Sequence, residues 1–177
     1  MNTVQPIRDK GKIEDIKSVL LKKGYRDYIL FVLGINTGLR VGDMLRLKVD
    51  DVKGTHICIK EAKTGKQKRF FINPRLAQEL ARYTSGMSGY LFPSRGSDKP
   101  ITRIQAYRIL NHAADYCGLS EIGTHTMRKT FGYWHYKQHK DVAMLQEIFN
   151  HSSPSITLRY IGINGDMIDD TIKDFYL

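Results

Sequence analysis

The stretch "THICIKEAKTGKQKRFFIN", residues 55–73, carries the only clear β signal in a chain of 177 residues. Its two ends, "THICIK" and "KRFFIN", are short runs rich in β-branched and aromatic residues, and "TGKQ" joins them with turn chemistry. The pattern predicts an antiparallel hairpin. On both sides of it the apolar residues recur at helical spacing, so the chain reads as mainly α with one small antiparallel β-hairpin, an α+β fold. The turn region of the hairpin is strongly basic, with Lys60, Lys63, Lys66, Lys68 and Arg69 close together.

Toward the N-terminus, Ile13, Ile16, Val19 and Leu20 mark an amphipathic helix that stops at Gly24, with Lys22 and Lys23 suiting the negative end of its dipole. Tyr28, Phe31, Val32 and Ile35 mark a second helix, ended by "NTG", and a short third helix starts near Arg40 in "TGLRVGDMLRL". Toward the C-terminus, Pro74 fits the first position of a helix over "PRLAQELARY". A Gly- and Ser-rich loop with "YLFPS" inside it runs from Ser85 to Pro100. Thr102 with Gln105 forms a capping box for a helix whose apolar stripe is Ile104, Tyr107, Leu110, Ala114 and Cys117, up to Gly118. Thr124 is expected to cap the next helix, "HTMRKTFGYWHYKQH", which should bury Met127, Phe131 and Trp134. Ser153 and Pro154 start a short helix that carries Tyr160. The final "DMIDDTIKDFYL" sets Met167, Ile168, Ile172 and Phe175 at helical spacing, as in a docked tail helix.

Composition narrows the function. Lys and Arg number 28 against 18 Asp and Glu, a net charge of +10 spread along the chain. A folded body this electropositive suits a polyanionic partner, nucleic acid before membrane. No apolar run approaches the ~20 residues that a membrane span needs, and "MNTVQPIRDKGK" lacks the apolar core of a secretory signal. A cytoplasmic location is therefore expected. Cys58 and Cys117 stand without a CxxC or a ligand cluster, so neither a disulfide framework nor a zinc site is expected, and both read as buried small apolar side chains.

Several polar residues could carry chemistry. In "HTMRKTF", His125 and Arg128 are three apart on one helix face at a helix start, a geometry suited to an anion. Arg40 and Asp43 in "TGLRVGD" share the same spacing, which alone is an ordinary surface ion pair worth ~0.3–0.5 kcal/mol. Lys63 and Lys66 compete for a role in the hairpin turn. His151 could be a surface or capping histidine, and Tyr160 a core aromatic. Together, two arginines, a lysine and two histidines make a set of donors for phosphate oxygens, with arginine supplying planar bidentate contacts. There is no GxxxxGK[ST] loop, no HExxH and no carboxylate cluster suited to Mg²⁺. Metal-free phosphodiester chemistry needs side-chain cations and a side-chain nucleophile, for which Tyr160 is the candidate. No cofactor or metal is expected.

The order "TGLRVGD", "AKTGK", "HTMRKTF" and "FNHSSPSITLRYIGI" resembles the catalytic domain of the tyrosine recombinases, the phage-integrase family of site-specific DNA recombinases. The resemblance runs from about Lys12 to Tyr160. It implies that Arg40 and Arg128 clamp the scissile phosphate, that His125 acts in proton transfer, and that His151 hydrogen-bonds the phosphate. It further implies that Lys63 protonates the departing 5′ oxygen, that Tyr160 is the nucleophile, and that Asp43 supports the first arginine. The implied reaction passes through a 3′-phosphotyrosyl intermediate and needs no ATP, in keeping with the missing nucleotide loop. Double-stranded DNA is the expected partner, with Lys66, Lys68, Arg69, Arg103 and Arg108 as further DNA-binding candidates. A homo-oligomer assembled on DNA through the tail is also implied.

The chain departs from the family pattern in two ways. Asn150 stands where a glycine commonly precedes the later histidine, although Asn tolerates left-handed backbone. Family members usually carry N-terminal DNA-binding domains. Here residues 1–177 are expected to form a single catalytic domain, with residues 1–11 as an N-terminal extension, residues 161–177 as a tail helix, and no core-binding or arm-binding domain. Three other readings stay open on the residues alone: DNA relaxation of the type IB topoisomerase kind, a non-catalytic DNA-binding module, and a basic helical interaction domain. The last predicts that the cationic residues do not converge in space, and the second that Tyr160 is buried or the site not assembled.

Overall fold

A computed structural model describes residues 4–120, 122–163 and 172–176. Helix α1 (Lys10–Lys23) begins at Asp9, whose carboxylate accepts the N–H groups of Gly11 and Lys12, and ends at Gly24. It lays Ile13, Ile16 and Leu20 against α2 (Tyr25–Thr37). Helix α2 is the centre of the molecule. Ile29 to Gly34 are all buried, because α1, α4 (Pro74–Thr84) and α6 (Thr126–His139) pack around it. Each Leu or Ile enclosed in this way contributes roughly 1.5–3 kcal/mol.

After a short α3 (Val41–Met44) and a 3₁₀ turn at Val49–Val52, the chain forms the two-stranded antiparallel sheet. Strand β1 (His56–Lys60) pairs with β2 (Gln67–Phe71), from His56 opposite Phe71 to Lys60 opposite Gln67. The connection is longer than "TGKQ" predicts. Glu61 and Lys66 extend the ladder through a backbone bond, and Gln67 already belongs to β2. The loop after α4 is pinned rather than free: Leu91 N–H bonds the Leu47 carbonyl, and Leu91 and Phe92 are wholly buried.

Helix α5 (Arg103–Tyr116) starts with the predicted capping box between Thr102 and Gln105. A second, smaller core then forms where Tyr133 of α6 meets Leu145 and Phe149 of α7 (Val142–Phe149) and Ile161 and Ile163 beyond α8 (Pro154–Tyr160). Among the described residues no helix is long and apolar enough to cross a membrane.

Four expectations are corrected. In α5 the buried face is Ala106, Leu110, Ala113 and Ala114, while Ile104 and Tyr107 are exposed; the small alanines let the helix lie close on α1 and α3, which rotates the larger side chains outward. In α6, Met127 and Tyr133 are the large apolar residues that are buried, while Phe131 and Trp134 are half-buried against the smaller core. Thr124 does not cap α6. His125 occupies the cap position without a side-chain bond, and the Thr126 hydroxyl instead accepts the Gly123 N–H at 3.0 Å. Cys58 is exposed and only Cys117 is buried. A two-stranded sheet covers one face: Ile57 and Phe70 point inward, and Cys58, opposite Arg69, points out. Of the expected tail helix, residues 164–171 lie outside the described residues, and Ile172 to Asp174 form a turn.

Candidate active site

The end of α2 sets the first element of the site. Gly38 caps the helix in the left-handed region at φ 66°, and a Cβ there would come within 2.5 Å of the Phe131 ring. Glycine therefore serves two needs at once, the reversal of the chain and the approach of α6. Two residues on, Arg40 stands at the start of α3 with extended backbone, and its guanidinium pairs with Glu61 at 2.6 Å. Glu61 is almost wholly buried, and its other oxygen accepts the Thr64 hydroxyl at 2.7 Å. Arg40 is thereby tied to the hairpin turn that carries Lys63. A cleft of about 370 Å³ opens between these groups, lined by Arg40, Lys63, Arg103, His125 and Arg128 among others.

Arg128 lies beneath the cleft with only 2% of its surface exposed. One terminal nitrogen donates to the Gly38 carbonyl, the other to the Phe149 carbonyl at 3.0 Å, and the guanidinium carbon stacks 4.3 Å over the Phe149 ring. Arg128 thus joins the end of α2 to the end of α7. At that second end Asn150 adopts φ 55°, and the N–H of His151 closes back on the Gln146 carbonyl at 3.1 Å. This is the left-handed helix stop that glycine commonly supplies, and it throws His151 back over the site. The imidazole Nδ1 meets the Thr157 hydroxyl at 3.1 Å.

Helix α8 then delivers Tyr160. Ser153 caps it through the Ile156 N–H, Pro154 opens it, and a paired stop closes it just past Tyr160: Gly162 N–H to the Arg159 carbonyl and Ile163 N–H to the Leu158 carbonyl. The phenol oxygen lies 3.3 Å from His125 Nδ1, and the ring stands edge-on to His151 with centroids 5.0 Å apart.

The charges explain the protonation states. Burial, then the neighbouring Arg128, Arg40 and Lys63, depress the His151 imidazole to about 4. Burial and the cations Arg128, Lys129, Arg40 and Lys63 likewise lower His125. Both histidines are neutral near pH 7 and able to accept a proton or a hydrogen bond. Burial pushes the Tyr160 phenol up from its ordinary value, against the pull of Arg128 and Arg40, so it enters as the neutral phenol. Desolvation lowers Arg128 to about 10, which still leaves it charged at neutral pH. Beside the Arg40–Glu61 pair, the cleft sets Lys63, Arg103 and Arg128 around a neutral phenol and neutral imidazoles. Such a site is built to receive an anion.

Residues 9–166 match the family model described as the phage integrase family. The chain belongs to the phage integrase family. This family member is 53% identical over 178 residues to the probable integrase/recombinase YoeC of Bacillus subtilis (strain 168), covering 99% of the chain and 98% of that relative. It is 28% identical over 156 residues to a tyrosine recombinase XerC of Staphylococcus saprophyticus, covering 83% of this chain but only 52% of the relative. Among solved structures, that of XerA recombinase superposes with a TM-score of 0.79 at 20% identity, over 96% of this chain and 65% of that one, a likeness of fold.

The integrase-family chain brings Arg40, Lys63, His125 and Arg128 to one cleft and sets His151 and Tyr160 at its edge. Asp43 is corrected in its partner. Arg40 precedes α3 in extended backbone, so the i, i+3 relation of a shared helix face fails, and Glu61 takes the arginine instead. The buried Asp43 carboxylate accepts the Ala62 N–H at 3.0 Å and pairs with Arg46 at 2.7 Å, holding the turn beside Lys63. The basic candidates divide. Lys66 reaches the Asn150 side chain at 3.0 Å, Lys68 the Glu147 carbonyl at 2.6 Å, and Arg69 the His56 ring at 3.0 Å. Arg103 lines the cleft over Gly42, and Arg108 is exposed on α5. Glu61, Lys129 and Thr157 escape a reading by motif. A lone acid directly before a basic hairpin turn is the one signal that could have pointed to Glu61.

Proposed function

We propose that this chain is the catalytic unit of a site-specific DNA recombinase, which breaks and rejoins DNA strands through a covalent phosphotyrosyl intermediate. The carrying observation is the Tyr160 hydroxyl at 3.3 Å from the neutral His125 imidazole, beside a cationic cleft lined by Arg40 and Arg128. The names of the relatives, an integrase/recombinase and a tyrosine recombinase, support the same reading.

In this reaction the Tyr160 oxygen attacks a DNA phosphodiester, and its proton passes to His125 Nδ1. Arg40 and Arg128 hold the non-bridging oxygens as negative charge grows on them, and His151 adds a hydrogen bond. The bond from phosphorus to the 5′ oxygen breaks, and Lys63 supplies the proton that the departing oxygen takes. Lys63 fits this role better than Lys66, because it lines the cleft while the Lys66 amine is engaged by Asn150. One phosphodiester is exchanged for another, so a 5′ hydroxyl from a second strand reverses the step with new partners and no nucleotide is consumed. Arg103 and Arg108 are the candidates best disposed to grip the DNA backbone beside the cleft. The exposed Ile172, Phe175 and Tyr176 favour docking of the tail on a second copy of the chain. A cytoplasmic location follows from action on DNA.

The test is a nicked suicide duplex bearing the target site, which traps covalent protein–DNA adducts. Wild-type protein should accumulate a tyrosine-linked adduct. Tyr160→Phe should form none while binding the duplex with nearly unchanged affinity, because only the nucleophilic oxygen is gone. An adduct that persists in this variant assigns the nucleophile to another residue.

A further inference from the structure

Residues 4–8 run as a strap along α6, and each contact fixes a different level of that helix. The Val4 carbonyl accepts Lys129 Nζ at 2.8 Å, the Ile7 N–H bonds the Thr130 hydroxyl at 2.9 Å, and the Ile7 carbonyl accepts the Trp134 indole N–H at 2.9 Å. The strap then meets the exit of α8: Arg8 donates to the Gly162 carbonyl at 2.8 Å, with its guanidinium 5.6 Å over the Tyr133 ring. Gly162 is the left-handed residue of the helix stop that immediately follows Tyr160, at φ 77°. A Cβ there would come within 2.7 Å of the Arg8 guanidinium, so the two are in direct contact. At the other end of the strap, Lys129 is 7% exposed and holds its ammonium 5.2 Å over the Tyr160 ring. The ring and the helix end that bears it are therefore both held from the N-terminal segment, about 150 residues away in sequence.

We infer that Arg8 and Lys129 are positioning residues for Tyr160: the strap locks the end of α8 so that the phenol stays beside His125 of its own subunit. The inference rests on Tyr160 being the nucleophile. Helix α8 has only seven residues, too few to hold its own direction, so its place depends on contacts made outside it, with α7, the smaller core and the strap. A charge-assisted bond at its exit and a cation over its last ring add to the hold that this packing provides. Any event that lifts residues 4–8 from α6 would withdraw the nucleophile and leave the phosphate-binding cleft intact, so the strap can gate cleavage separately from binding.

The experiment compares wild type, Arg8→Ala, Arg8→Lys and Gly162→Ala in the full chain on the suicide duplex. It measures adduct rate at saturating DNA, DNA affinity, and emission of Trp134, the single tryptophan. Arg8→Ala should lower the saturating rate about tenfold, the size expected from one charge-assisted bond. Affinity should stay within about twofold, and Trp134 emission should be unchanged because its own bond to Ile7 remains. Arg8→Lys should recover most of the rate. Gly162→Ala, which crowds the Arg8 guanidinium and strains the left-handed stop itself, should reproduce the loss even if Arg8→Ala folds poorly. Wild-type rates in both alanine variants, or a parallel fall of affinity and rate, overturn the inference. An adduct that survives Tyr160→Phe overturns the nucleophile assignment instead, so the two failures are distinct.

Discussion

His151 is a base surrounded by cations, and that has a measurable cost to the fold. Its imidazole is held at about 4 by burial and by Arg128, Arg40 and Lys63, against ~6.5 in an unfolded chain. Between those values the unfolded state takes up a proton that the native state refuses. Native stability therefore falls as pH drops from about 6.5 toward 4, and the contribution of this residue is on the order of 1–2 kcal/mol by pH 5, allowing for solvent at the half-buried ring. His125 and His135, both lowered chiefly by burial, act in the same direction. Urea unfolding at pH 7.5 and pH 5.0 should show a smaller loss of stability in His151→Gln than in wild type. Equal losses would mean that the imidazole titrates normally. His125 and His151 stand out as candidates in the sequence because the motifs keep a fixed order, whereas nothing there singles out His135. Their protonation was not legible, since it depends on cations brought from three places distant in sequence, the start of α3, the hairpin turn and α6.

Among the elements, α7 shows what motif reading passes over. "DVAMLQEIFN" holds a helical stripe of Val142, Leu145 and Phe149 and an Asp141 cap on the Met144 N–H, yet it lies between two motifs that draw attention to themselves. Its end matters more than its length. Asn150 closes α7 at φ 55°, ψ 47°, where a β-branched side chain is strained and glycine is not. Asn150→Gly should leave stability within about 0.5 kcal/mol, the easier backbone offsetting the exposed bond lost from Lys66. Asn150→Val should cost about 1–2 kcal/mol in thermal or urea unfolding and slow adduct formation by moving His151. If valine is tolerated in both assays, the left-handed stop does not place the histidine. The hairpin and helices α1, α2 and α4 were legible from caps, stops and periodicity, all local properties. The burial of α5 was not, because the phase of its stripe is set by how closely the alanines let α1 and α3 approach.

At the scale of the whole molecule, a net charge of +10 cannot say which cations face DNA, since some of them hold the protein together. Lys68 spans from the hairpin to α7, its amine on the Glu147 carbonyl at 2.6 Å, and so welds the turn that carries Lys63 to the part of the chain that carries His151 and Tyr160. Arg103 lines the open cleft instead. The two residues count alike in the net charge and stand in opposite settings, a distinction invisible before the hairpin is placed against α7. Salt dependence separates them. Each phosphate contact releases counterions and adds ~0.9 to the magnitude of the slope of log K against log salt on B-form DNA. Arg103→Ala should reduce that slope by about one and leave the unfolding transition unchanged within ~0.5 kcal/mol. Lys68→Ala should keep the slope, lose roughly 1 kcal/mol of stability by freeing the hairpin from α7, and slow adduct formation through a misplaced Lys63. If Lys68→Ala lowers the slope as much as Arg103→Ala does, its bond to Glu147 gives way on DNA, and the hairpin grips the duplex rather than the neighbouring helix.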